Sequence, residues 1–264
     1  MFKQRLIMTL ILIPLVLLGI YELPNFYFQG LIYLLLGVMI FEWQQFIKLP
    51  RYNQSWMRFG LLSLGVILVM HYWTFFIWLD VLFWAAAVFW IIRYPQHQAH
   101  WGSSGFMSLN AWILLGVFGA IMIDLQADSY GKNEMVAVLF LVWASDIGAY
   151  LVGRRLGQHK MIPQVSPGKS WEGLMGGILL ACFIGALEID FVQPFSMFWW
   201  FMMVVITVSI SVFGDLWMSV LKRHSKLKDT GHLIPGHGGI LDRLDSILAA
   251  IPVFYIGMHW LSGN

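Results

Sequence analysis

The sequence predicts an all-α, polytopic integral membrane protein of about nine transmembrane helices, with its N-terminus inside and its C-terminus outside. Three observations carry this. Apolar residues make up 59% of the chain and charged residues 11%, where a soluble domain has roughly half and a quarter. The apolar residues fall into runs about as long as a membrane-crossing helix, with a mean hydropathy of +0.72 over the chain. The Lys and Arg residues gather on one side of the resulting topology.

The runs are 6–23, 27–42, 57–73, 75–92, 108–124, 134–152, 172–189, 196–221 and 241–260. Turn formers stand between them: Pro24-Asn25, Pro50, Pro95, Ser103-Ser104-Gly105, Gly131, Pro163, Pro194 and Pro235-Gly236. Pro14 and Pro252 fall inside runs, where neighbouring helices can tolerate a kink. Lys3 and Arg5 precede the first run as in a secretory signal, but no small-x-small cleavage site follows, so it is expected to stay as an anchor. With the N-terminus inside, Lys3, Arg5, Lys48, Arg51, Arg58, Arg93, Arg154, Arg155, Lys160, Lys169, Lys222, Arg223, Lys226, Lys228 and Arg243 all lie on the cytoplasmic side. Lys132 alone lies outside, among loops that carry Glu22, Asp124, Asp128, Glu134, Glu188 and Asp190. No repeat and no second soluble domain is evident. A single membrane domain over 1–264 is expected, with helices of unassigned role in 1–130 and the chemistry in 131–264.

Composition excludes some classes. The net charge of +2 and the grouping of the bases give no nucleic-acid footprint. The lone Cys182 sits inside an apolar run, so an internal disulfide is excluded and it reads as a small core residue.

Charge is concentrated instead between Asp215 and Asp245. Asp215, Ser219, Lys222 and Arg223 lie at i, i+4, i+7 and i+8 of one helix, and Asp242 and Asp245 at i and i+3 of the next. The latter two could simply be helix-start acids favoured by the dipole and paired with Arg243 or Lys228. Asp215, entering at the same depth from a neighbouring helix, favours a shared site for Mg²⁺, which takes oxygen ligands and keeps waters or substrate phosphates. Asp146, near the cytoplasmic end of the sixth run, is a further expected ligand or nucleotide contact. Asp80 has no such company and reads equally as a buried structural acid or an outward-facing one.

Two loops complete the pattern. Pro235-Gly236-His237-Gly238-Gly239 suits either a phosphate cradle or a tight re-entrant turn, with His237 as ligand, proton relay or cap. His224 and His232 read as plain loop residues. Ser166-Pro167-Gly168-Lys169-Ser170 resembles the end of a phosphate loop, but Pro163 replaces the first glycine of that motif and no strand precedes it, so a Walker A loop is rejected. A loop that places Lys169 and hydroxyls near a helix start remains.

At these residues the chain resembles the bacterial membrane type of phosphatidate cytidylyltransferase, or CDP-diacylglycerol synthase. The matching elements are Ser219, Lys222-Arg223, Lys228-Asp229, Pro235-Gly236-His237-Gly238-Gly239 and Asp242-Arg243-Leu244-Asp245, with Ser145-Asp146-Ile147-Gly148-Ala149-Tyr150 and Ser166 to Gly173 in support. Ser170 stands where threonine is expected, keeping the hydroxyl. The likeness extends through the C-terminal half; the N-terminal half matches in hydropathy and in Arg5-Leu6-Ile7. The resemblance implies that CTP and phosphatidate give CDP-diacylglycerol and pyrophosphate with Mg²⁺, a second metal ion being left open, in an inner-membrane homodimer whose site faces the cytoplasm. It implies Asp215, Lys222, Arg223, Asp242 and Asp245 as catalytic; Asp146, Ser166, Lys169, Ser170, Ser219, Lys228, His237, Gly238, Gly239 and Arg243 as substrate-binding; and Asp146, Asp215, Asp242 and Asp245 as metal ligands. Lys169 is expected at the outer phosphates of the nucleotide and Lys222-Arg223 beside the metal near the lipid. A CTP-dependent lipid kinase is the nearest alternative. A transporter would also carry intramembrane charge, but no polar path continues to the outer side.

Overall fold

The apolar runs form helices, as a chain in hydrocarbon must satisfy its backbone groups internally. The computed structural model describes residues 2–47, 55–194, 196–231, 233 and 238–259, with side chains from residue 11 onward. In chain order these are α1 (Phe2–Glu22), α2 (Asn25–Trp43, closed by a 3₁₀ turn, Gln44–Phe46), α3 (Ser55–His71), α4 (Trp73–Ile92), α5 (Gln98–Trp101), α6 (Ser104–Ala127) and α7 (Ser129–Leu156). A short hairpin of β1 (Lys160–Ile162) and β2 (Ser166–Ser170) follows, then α8 (Trp171–Leu187), α9 (Ile189–Val192), α10 (Met197–His224) and α11 (Leu241–His259).

Helix starts follow the local sequence. Ser103 Oγ accepts from Phe106 N at 3.2 Å, Asp128 Oδ2 from Gly131 N at 3.0 Å and Ser170 Oγ from Gly173 N at 3.1 Å, each filling an otherwise orphaned donor. Pro14 and Pro252 both lie within helices, α1 and α11. The antiparallel hairpin is the one departure from all-α architecture among the described residues; it folds the 157–170 loop back so that Lys169 reaches the helices.

Among the described residues, five helices have the length and apolar character to cross a membrane: α2 with its 3₁₀ turn, α4, α6, α7 and α10. Large apolar side chains cover the outside, with Phe26 80% and Phe198 78% exposed. Such a surface is solvated by lipid. Asp80 is fully buried on α4, which decides for the buried one of its two readings.

Two sets of polar contacts mark the two ends of the bundle. At one end Lys132 Nζ donates to Tyr21 O at 3.4 Å, Gln126 Nε2 to Leu23 O at 2.8 Å, and Tyr255 Oη to Asp124 Oδ2 at 2.8 Å; His259 Nε2 pairs with Glu134 Oε2 at 2.7 Å. At the other end the C-terminus of α2, the last turns of α10, the start of α11 and the β hairpin come together. Behind them Trp217 of α10 is fully buried, packed on Phe83, Trp90 and Trp101 with ring centroids 5.5, 5.9 and 5.5 Å away.

Candidate active site

Two close helix approaches set the geometry. Gly214 lets α11 lie directly on α10: a Cβ there would meet Ala249 Cβ and Asp245 O, both at 2.7 Å. This brings the carboxyl groups of Asp215 and Asp245 within hydrogen-bonding reach of each other. Gly148 does the same for α7 and α8, where a Cβ would lie 2.5 Å from Gly176 O. That pair carries Asp146 on one helix and the hairpin with Lys169 at the start of the other.

Between α7, α10, α11 and the loop after α10 lies a cavity of about 330 Å³. Asp146, Asp215, Asp229, Asp242 and Asp245 line it, with Lys222, Arg243 and Ser246 and an apolar wall of Val142, Trp143 and Ile247. Lys222 Nζ pairs with Asp242 Oδ1 at 2.6 Å, and Lys169 Nζ with Asp215 Oδ2 at 2.6 Å while donating to Val212 O at 3.1 Å. Ser219 Oγ donates to Asp215 Oδ1 at 3.5 Å, and Asp245 Oδ1 accepts from Ser246 N at 2.9 Å.

Asp242 is the most firmly held of the acids. Its Oδ2 accepts from Thr230 N at 2.7 Å, Thr230 Oγ1 at 3.0 Å and Gly239 N at 3.1 Å, so Oδ1 is the oxygen turned to Lys222. Gly238 has φ of +84°, and a Cβ there would lie 2.8 Å from Asp242 Oδ2. A Cβ at Gly239 would meet Thr230 Oγ1 at 2.4 Å and Glu42 Oε2 at 2.5 Å. The open faces of both glycines are thus taken by carboxylates of the protein itself.

The cavity therefore gathers Asp146, Asp215, Lys222, Asp242, Arg243 and Asp245 as the sequence suggests. Lys169 arrives on Asp215, not out among solvent. Ser219 is attached through Asp215. Arg223 is exposed, donates to Leu227 O at 3.5 Å and does not line the cavity; Lys228 is likewise exposed and outside the lining. Ser166 sits at the start of β2 away from the lining, and buried Ser170 caps α8. His237, with Pro235 and Gly236, lies outside the described residues. The sequence marks Asp229 only as part of the Lys228-Asp229 element, with no site role, and gives no signal for Glu42, an isolated acid at the end of an apolar run.

The donor chemistry of this cavity fits a hard divalent cation. Its lining acids outnumber Lys222 and Arg243, their ligand atoms are all oxygen, and Asp215 and Asp245 come close to each other across the contact of α10 and α11. Among the described residues no three acidic, His or Cys side chains form a ready-made metal cage. The fit is thus to an ion completed by waters and substrate phosphates, as Mg²⁺ prefers.

The profile of the cytidylyltransferase family matches residues 3–261. The chain belongs to the cytidylyltransferase family. Within it, the phosphatidate cytidylyltransferase of Haemophilus influenzae is 36% identical, over 96% of this chain and 97% of that protein. The protein of the same name from Pseudomonas aeruginosa is 33% identical, over 100% of this chain and 98% of that one, and that of Bacillus subtilis 33% identical over 96% of each. The likeness of this cytidylyltransferase therefore extends past its signature half into α1–α6.

Proposed function

We propose that the protein is a phosphatidate cytidylyltransferase: CTP and phosphatidate give CDP-diacylglycerol and pyrophosphate at the cavity between α7, α10 and α11. The observation that carries the reading is the convergence there of five aspartates with Lys222, Arg243 and, through Asp215, Lys169, in a membrane chain of the cytidylyltransferase family. In the reaction a phosphate oxygen of phosphatidate attacks the α-phosphorus of CTP. One P–O bond forms, the bond from that phosphorus to the β-bridging oxygen breaks, and pyrophosphate leaves, so no covalent protein nucleophile is needed.

Both substrates are anions and the cavity wall is dominated by acids, so they can approach only with added positive charge. Mg²⁺ held by Asp215, Asp242 and Asp245, with Asp146 beside them, would neutralise that charge and the charge developing on the leaving group. Lys222 and Arg243 hold phosphate from the cavity wall, and Lys169 can turn from Asp215 to a phosphate as the acids take up their cation. The nine-span topology, the inner-membrane location, the cytoplasmic orientation of the cavity and the homodimer belong to the same proposal. Orientation is supported by the basic residues, which cluster at the end of the bundle that holds the cavity.

The test is turnover of the purified protein in detergent. CTP with phosphatidate should yield a CDP-lipid and pyrophosphate in equal amounts. Release of CDP with a newly phosphorylated lipid would instead identify a lipid kinase.

A further inference from the structure

Glu42 is a carboxylate near the end of an apolar helix, 3% exposed, in a segment long and apolar enough to span a membrane. A charge there is costly unless it is fully hydrogen-bonded. Its partners come from the far end of the chain. Glu42 Oε1 accepts from Ile240 N at 2.9 Å, and Oε2 from Leu241 N at 2.8 Å and Thr230 Oγ1 at 3.1 Å. These amides are orphan donors at the start of α11, so Glu42 caps that helix from outside its own sequence and sits at the positive end of its dipole. Gln45, one turn on, adds a hydrogen bond to Thr230 O. Room for the carboxylate is made by glycines: a Cβ at Gly231 would lie 2.6 Å from Oε1 and one at Gly239 2.5 Å from Oε2.

We infer that Glu42 is a positioning residue for Asp242. Thr230 and Gly239 are the groups that hold Asp242 Oδ2, and both are packed directly on the Glu42 carboxylate. Glu42 fixes where Thr230, Gly239 and the first turn of α11 stand, and so aims Asp242 Oδ1 into the cavity. The N-terminal half thereby acts on the reaction without touching a substrate. This rests on the reading of Asp242 as a working residue of the cavity. A carboxylate displaced by a fraction of a bond length weakens the reacting geometry more than it weakens the binding of a nucleotide held by several groups.

The experiment compares the wild type with Glu42→Gln and Gly231→Ala in detergent. The first keeps the shape but sets an amide NH₂ against N–H donors; the second keeps the carboxylate and pushes it aside. Both should lower kcat by about tenfold or more, the equivalent of one lost charge-assisted hydrogen bond, with KM for CTP changed less than about threefold. Hydrogen exchange in the peptide covering 238–244 should accelerate while that of the middle of α10 stays as in the wild type. A smaller fall in kcat, a rise in KM that matches it, unchanged exchange at 238–244, or faster exchange throughout the chain would each overturn the inference. Should Glu42→Gln fail to fold, Gly231→Ala decides alone. The exchange readout needs no turnover: a wild type that transfers no cytidylyl group sinks the proposed function, while exchange at 238–244 still reports whether Glu42 holds the loop.

Discussion

The acids of the cavity are not equivalent. Asp215 and Asp245 face each other across the contact of α10 and α11, whereas Asp242 has one oxygen committed to Thr230 and Gly239. Asp215→Asn and Asp242→Asn should each abolish turnover while the protein remains folded in the membrane. Near-normal activity of either across a Mg²⁺ titration would remove it from the metal site. The lysines should separate by their seats. Lys222→Ala opens the cavity wall at Asp242 and should fall hardest on kcat or phosphatidate use. Lys169→Ala frees Asp215 and should raise KM for CTP as its larger effect. Each loses a charge-assisted interaction of about 1.5–3 kcal/mol, or roughly ten- to hundredfold in the constant concerned. Equal modest losses for both substrates in both variants would reduce the lysines to general electrostatic support. Helical spacing explains which cations were legible in the sequence. At about 100° per residue, Lys222 stands some 20° from Asp215 around α10, but Arg223 stands some 80° away and meets solvent. Asp229 is visible in the Lys228-Asp229 element, but spacing in a loop gives no way to tell that it, and not Lys228, lines the cavity. Glu42 could not be seen, since its partners lie 188 to 199 positions along the chain and nothing local distinguishes it from a snorkelling acid.

At the scale of elements, the site depends on how closely helices approach. The long helices were readable from hydropathy because lipid leaves the chain no other way to satisfy its backbone. The hairpin was not, for three- and five-residue strands in a polar loop leave no period to read. Nor was the contact at Gly214, since glycine in an apolar helix is common and only the neighbour gives it meaning. Gly214→Ala tests that contact. Its methyl would meet Ala249 Cβ at 2.7 Å, and both atoms belong to short side chains that cannot swing away. The helices must part, at about 1–3 kcal/mol of overpacking. Activity should fall by more than the loss of thermal stability accounts for, because Asp215 and Asp245 separate together. A variant with wild-type kcat would show that the site tolerates a wider gap. Trp217, wedged among Phe83, Trp90 and Trp101, should keep the other face of α10 in place in that variant.

For the whole molecule, the two ends of the bundle carry different chemistry, and the proposed topology, argued from the distribution of bases, puts the cavity end in the cytoplasm. A cysteine introduced at Lys226, exposed in the turn that follows α10, should resist an impermeant thiol reagent in intact cells and react after lysis. Labelling before lysis would invert the topology. The pairing of Lys169 with Asp215 and of Lys222 with Asp242 has a consequence for handling the protein. The fold carries resident counter-ions of its own. Dialysis against a chelator should therefore silence the protein without melting it: Tm should move by no more than the linkage expected for a dissociable ion, and activity should return when Mg²⁺ is restored. Irreversible unfolding in chelator would mean that the lysines cannot stand in. If the lysines do stand in, the proposed enzyme should persist in the membrane as a folded resting form between encounters with its nucleotide.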